Sequence, residues 1–343
     1  MTAAAAAGAL LTPAGPTSAD RTTLPGGLFR YIAATSWVHQ IPLAGLTVAV
    51  FLLEVVPLEM QRRIVNDAVK NRRFDTVILL CAAYAGAVLI QGSTKLGLNI
   101  YRAWVGERGK RDLRRRICAA AATGPSMAQA RGTAVSMVVA EVEPVGNFIG
   151  GSVSEPLLQT GILATVITYI FHIDLWMGAA VFALFAPQMV FVPLMQHAMN
   201  RRTGARVWLL RQIGARVMAT TSRDETVDPV NAARIDRVFA INMRIFALKF
   251  TMNFLMNLCI HAQIIIALLL GSWWVLHDQL EVGGVVAFIS GIYRITDPWG
   301  DLVNYYRDLS VNEVKFKLIA GAMSQAQGGA SADVAGLKQQ SLS

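Results

Sequence analysis

Charged residues and cysteine are both scarce in this chain, and each scarcity excludes a class of protein. Of its 343 residues only 15% are charged while 54% are hydrophobic, and the mean hydropathy is +0.45. A water-soluble chain of this length needs a more polar surface. The three cysteines, Cys81, Cys118 and Cys259, are scattered without CxxC spacing, which excludes a disulfide framework and a zinc site and leaves them as small apolar fillers. The five histidines show neither H-x3-H nor HExxH spacing, and no Ser/His/Asp grouping stands out, so no metal site and no catalytic residue is expected. A phosphate-cradling G-x-x-x-x-G-K-[ST] loop is also missing. Gly109-Lys110 is the sole Gly-Lys pair, no glycine stands five residues before Gly109, and Arg111 follows Lys110. By itself the polypeptide is expected to be no enzyme, to bind no cofactor and to hydrolyse no ATP.

Long apolar runs are abundant. Six of them, centred on Ile41–Met60, Val77–Leu98, Val153–Phe171, Leu175–Met199, Phe250–Leu276 and Val282–Ile295, are candidates to cross a hydrocarbon core about 30 Å thick, which takes roughly 20 apolar residues. Their connections alternate in length. Only 172–174 join the third and fourth runs and only 277–281 the fifth and sixth. Roughly fifty residues (Tyr101 to Gly151, then Asn200 to Lys249) separate the second from the third and the fourth from the fifth, enough for two helical arms of about 30 Å each. The pattern predicts an all-α, polytopic membrane protein with two long helical hairpins on one side.

Charge placement orients it. Nine Lys/Arg fall between Lys95 and Arg131 and ten between Arg201 and Lys249, while the two tiny connections carry none. Basic residues concentrate in cytoplasmic connections, so the hairpins and both termini are expected in the cytoplasm, with the protein in a bacterial inner membrane. The first connection dissents, because it holds Arg62, Arg63, Lys70, Arg72 and Arg73. The net charge of +9 is thereby assigned to topology and to membrane lipids rather than to nucleic acid. Residues 1–27, rich in Ala, Gly, Pro and Thr, lack a basic n-region and are expected to be a disordered tail rather than a signal peptide. The small, polar stretch 323–343 is expected to be another. Phe29 to His39 reads as a short interfacial helix with Phe29, Tyr31 and Trp37 at headgroup level.

Three passages carry a family resemblance beyond the loop pattern: Leu113-Arg-Arg-Arg-Ile-Cys118 followed by Gly124-Pro125; Gly132-Thr-Ala-Val-Ser-Met-Val-Val-Ala-Glu141-Val-Glu143-Pro; and Val282-Gly-Gly-Val-Val-Ala-Phe-Ile-Ser-Gly291. With them, residues 28–322 resemble the six-span transmembrane domain of ABC exporters. Met137 and Val138 stand where that family has a basic residue nearby, and Glu141 or Glu143 replaces its aspartate. The resemblance implies a homodimer or heterodimer with another six-span unit and an ABC-type ATPase in trans that carries ATP and Mg. It also implies coupling helices around 132–139, with Gly132, Thr133 and Ser136, and around 220–230, with Arg223, Asp224 and Glu225. The bland reading of those charges is a solvated turn.

Ionisable and amide groups inside spans are costly and mark cavities or helix contacts. Glu54, three residues before Pro57, reads either as a cavity ligand or as an interhelical pair partner. Asn253, Asn257 and His261 recur every four residues on one face of the fifth run, which suits a substrate pathway or interhelical glue. Arg294 and Asp297, at i,i+3 before Pro298, are expected to neutralise each other. Asp301 stacks one turn further and is approachable by Arg307. The expected function is the permease subunit of an ATP-driven transporter, an exporter working by alternating access. The alternative is a non-transporting membrane scaffold or regulatory subunit derived from such a half.

Overall fold

A computed structural model describes residues 24–71, 74–123, 141–219 and 229–340, and among them there is no strand. The helices are α1 (Leu28–Leu53), α2 (Val55–Asn66), α3 (Phe74–Thr123), α4 (Val142–Gly151), α5 (Ser154–Ile173), α6 (Leu175–Ala219), α7 (Pro229–Leu276) and α8 (Val282–Gln340), with a π-type turn at Asp67–Asn71 after α2. Among the described residues, five stretches are long and apolar enough to cross a membrane: Leu28–Val69, Phe74–Ala120, Ser154–Ile173, Leu175–Gly214 and Pro229–Leu276. The described residues thus form the long apolar helices of an all-α, polytopic membrane protein. The sixth expected span opens α8, which is not among the five, because Gly283, Gly284, Ser290, Gly291, Arg294 and Asp297 dilute its apolar run. Several helices far outrun a bilayer. The 50 residues of α3 extend ~75 Å at 1.5 Å per residue. None of the most apolar window of α3 is buried in the chain, which leaves that face to lipid or to another protein.

Local chemistry explains where the helices break. Pro57 cannot donate to the Leu53 carbonyl, and the helix interrupts there: Glu54 leaves the regular pattern, its N–H reaching Phe51 O at 3.3 Å. The third-to-fourth connection shrinks to Asp174, whose Oδ1 accepts the Met177 N–H at 2.8 Å and caps α6. Asp278 closes α7 with a left-handed φ of 56°, and Gln279 N–H donates back to Trp274 O at 2.9 Å.

Two sequence expectations change here. The separate interfacial helix is absent, since α1 runs unbroken from Leu28 to Leu53. Phe29 and Trp37 are exposed, but Tyr31 is fully buried, donating to Asp112 Oδ2 at 2.7 Å and packing on Phe316. At the other end, α8 continues past Ala322 to Gln340, through Ala, Gln and Lys with no proline after Pro298.

The helices group into two compact units. The first gathers the described parts of Met1–Thr47, Lys95–Pro156 and Tyr306–Ser343. Its core includes Leu28, Leu113, Ile149, Phe316 and Ile319, and α4 lies so close to α3 that a Cβ on Gly150 would fall 2.3 Å from Arg102 O. The second unit gathers Val48–Thr94 and Leu157–Tyr305. There α6 and α7 pair as a long antiparallel hairpin, and Phe288, Ile292, Met177 and Leu58 are fully buried. Gly161 meets the Phe51 ring so closely that any side chain there would collide with it.

Candidate functional site

In the second unit, α6, α7 and α8 line a half-open cavity of about 420 Å³. From α6 come Val192 and Gln196, and from α7 Met252, Asn253 and Met256. From α8 come Thr296, Asp297, Gly300, Asp301, Val303 and Asn304. Helical geometry delivers these sets: 252 and 256 are one turn apart, and 296, 300, 303 and 304 follow the i, i+4, i+7, i+8 spacing of a single face. Gly300, with nothing within 4 Å of a notional Cβ, leaves the wall open at its centre.

The polar groups in the wall are of one kind. Two carboxylates, three amides and a hydroxyl face the space together with two thioethers, and none of the described lining residues is basic. Asp301 Oδ2 accepts from Gln159 Nε2 at 3.2 Å, and Gln196 Nε2 donates to Asn304 Oδ1 at 2.9 Å. These bonds hold acceptor oxygens in place around a pocket whose remaining surface is apolar. Such a lining suits a cation carrying an apolar body, because carboxylates and amide oxygens solvate the charge while methionines adapt to the rest.

Of the pathway residues named from sequence, only Asn253 lines this cavity. Asn257 and His261 are exposed on α7, because a four-residue repeat winds ~40° per step around a helix of 3.6 residues per turn and leaves the cavity face within two steps. Glu54 is not in the wall either. Its Oε1 pairs with Arg294 Nη1 at 2.5 Å, its backbone oxygen lies 3.4 Å from the same nitrogen, and Gln91 Nε2 donates to its other oxygen. In this arrangement Glu54 is held between helices by Arg294 and Gln91. The expected Arg294–Asp297 pair is correspondingly replaced. The broken turn at Glu54 offers a half-buried carboxylate and a backbone acceptor that a neighbour on α8 itself does not, and Asp297 turns to the cavity instead. Arg307 bonds Asp308 Oδ1 at 2.9 Å. Sequence reading missed Gln196, Met252, Met256, Thr296 and Asn304. The Asp297–Asp301 stack was the one available signal, and the α6 and α7 contributions need the hairpin register. The coupling residues Gly132, Thr133, Ser136, Arg223, Asp224 and Glu225 lie outside the described residues.

Beyond the cavity, a polar chain ties the second unit together. Tyr169 Oη donates to Glu59 Oε2 at 2.9 Å, and Glu59 also holds Arg62 and Arg63. Asn66 Oδ1 accepts the Gly283 N–H at 2.7 Å while its Nδ2 donates to Glu281 Oε2 at 2.6 Å. Among the described residues no group of three His, Cys, Asp or Glu is arranged to hold a metal ion. No known family model matches the chain, and no curated protein is detectably similar to it in sequence.

Proposed function

We infer that this chain is the membrane-spanning permease subunit of an ATP-driven transporter of the ABC-exporter kind, with hydrolysis on a separate ATPase subunit. The observation that carries the reading is the surplus length of the hairpin helices. The 45 residues of α6 and the 48 of α7 each exceed by more than two-fold the roughly 20 needed to cross a bilayer. A helix pair projecting that far buries little on its own and serves best as a lever for a cytoplasmic partner. The start of α8 serves as a sixth span, its Arg294 neutralised by Glu54, and a second six-span unit covers the exposed apolar faces.

The cavity supports the transporter over the scaffold. Its two carboxylates and three amides at the membrane-embedded end of the α6–α7 hairpin are what a cationic, amphipathic substrate requires. In this mechanism, nucleotide-driven closure of the partner ATPases draws the hairpins together, and the cavity opens alternately to each side. The test is purification of the tagged chain from native membranes in mild detergent with mass spectrometry of its partners. A stoichiometric ABC-type ATPase supports the permease. A clean complex with some other cytoplasmic protein supports the scaffold.

A further inference from the structure

In the first unit, Trp104, Glu107, Arg108, Arg111, Arg114 and Arg115 line a recess of about 580 Å³ along α3. Their offsets of 3, 4, 7, 10 and 11 residues from Trp104 place them on one helix face. Four guanidinium groups against one carboxylate give a strongly positive field there. Arg114 in the wall and the neighbouring cations have acids of their own. Arg102 pairs with Glu155, Lys110 with Glu107 and Glu143, Arg114 with Glu143 and Arg116 with Asp112. Arg111 and Arg115 are exposed and have no carboxylate partner among the described residues, and the stretch 124–140 contains no Asp or Glu to supply one.

Arg108 is oriented by rings rather than by an acid. Its guanidinium carbon stands 5.5 Å from the Trp104 ring centre, a cation–π contact, and its Nη1 donates to His39 Nε2 at 2.7 Å. Accepting there leaves His39 Nδ1–H to donate to Tyr101 Oη at 2.9 Å, so the imidazole is neutral. Trp104 in turn stacks on Tyr101 at 5.8 Å. The donors of Arg108 that are left over are held ready for an oxyanion.

We propose that this recess binds the phosphates of an anionic phospholipid headgroup. Phosphate is the ligand class because the forked guanidinia of Arg108, Arg111 and Arg115 converge with no carboxylate partner among the described residues. Lipid is its source because of depth. The apolar run ends at Leu98, the belt-type residues Tyr101 and Trp104 follow within two turns, and Arg108 lies ~15 Å beyond Leu98 along the axis. From Arg108 to Arg115 is ~10 Å, room for two phosphates, so a doubly charged headgroup such as that of cardiolipin fits best. The site does not depend on the permease reading, since a scaffold subunit would carry it equally.

The experiment places the full chain in phosphatidylcholine nanodiscs with and without cardiolipin, and reads the unfolding midpoint together with lipid retained in native mass spectrometry. Cardiolipin is expected to raise the midpoint by several degrees. The double variant Arg111→Gln/Arg115→Gln should lose most of that shift while melting like the parent in phosphatidylcholine alone. Arg201→Gln/Arg244→Gln, altering exposed arginines of α6 and α7, should keep it. If the double variant does not fold, Arg111→Gln alone should lose about half of the shift. A full shift in the Arg111/Arg115 variants overturns the site, and so does equal retention of phosphatidylcholine and cardiolipin. Inorganic pyrophosphate reproducing the shift without cardiolipin overturns the lipid assignment.

Discussion

Glu54 and Arg294 are separated by 240 residues yet form the ion pair at the break between α1 and α2. Removing one partner of a partly buried pair leaves an uncompensated charge, which costs about 3–5 kcal/mol where burial is complete and less here, since Arg294 keeps some solvent contact. Arg294→Ala is therefore expected to lower the unfolding midpoint in detergent by several degrees, and adding Glu54→Gln should recover most of the loss. A double variant no better than the single one would mean the pair is not what Arg294 supplies. That both residues matter was legible in the sequence, because an ionisable group inside an apolar run is conspicuous. Their partnership was not. Within one helix the only partner rule is i,i+3 or i,i+4, and it pointed to Asp297. The winning acceptor comes from a turn that Pro57 breaks in another helix, which only packing reveals. The same limit explains α7: spacing marks Asn253, Asn257 and His261 as neighbours, but which of the three meets α6 and α8 depends on how the hairpin is wound.

Helix ends and close crossings are where single groups control an element. Asn66 bonds both Glu281 and the Gly283 N–H, tying the turn before α8 to the end of α2. Asn66→Ala should speed backbone hydrogen exchange at 281–284 while leaving α6 and α7 unchanged, and uniform exchange would contradict that local role. Between α3 and α4 the close approach at Gly150 leaves no room for a methyl group against Arg102 O, so Gly150→Ala should cost about 1–3 kcal/mol, read from thermal unfolding. Nearby, the Lys110 ammonium, followed by the Arg114 guanidinium, holds the Glu143 carboxyl below its ordinary value. A carboxyl whose folded value lies below its unfolded one stabilises at pH above the unfolded value, about 4.3, and loses that contribution as pH falls through the folded one. Glu143→Gln should therefore lower the unfolding midpoint at pH 7 and have progressively less effect below about pH 4. The modest size expected follows from its exposure. Most elements were readable from apolar runs and their connections, including the tight join read at 172–174, which the structure narrows to Asp174. The unbroken α1 was not, since the aromatic residues 29–37 carry belt chemistry whether or not the helix continues through them. Nor was the length of α8, whose tail composition is compatible with either helix or coil.

At the scale of the whole molecule, the class is defined by five stretches among the described residues that are long and apolar enough to span a membrane, and by several helices that outrun any bilayer. The start of α8 counts as a sixth span only through the proposed function, because its charges need Glu54 to be tolerable. The alternation of short and long connections was visible in sequence, and the proposed permease reading draws on it. The cavity of α6, α7 and α8 was not visible, being assembled from three helices whose register no linear pattern records. If it is the substrate site, Asp297→Asn with Asp301→Asn should abolish stimulation of the complex by amphipathic cations while leaving its basal activity and assembly intact. The measurement that bears most directly on the central claim is ATP hydrolysis by the complex purified through this chain in lipid nanodiscs. The account predicts hydrolysis that co-purifies in stoichiometric amount and falls when Asp224 and Glu225 are replaced by alanine. A well-folded chain that comes out of native membranes with no ATPase activity attached would contradict it.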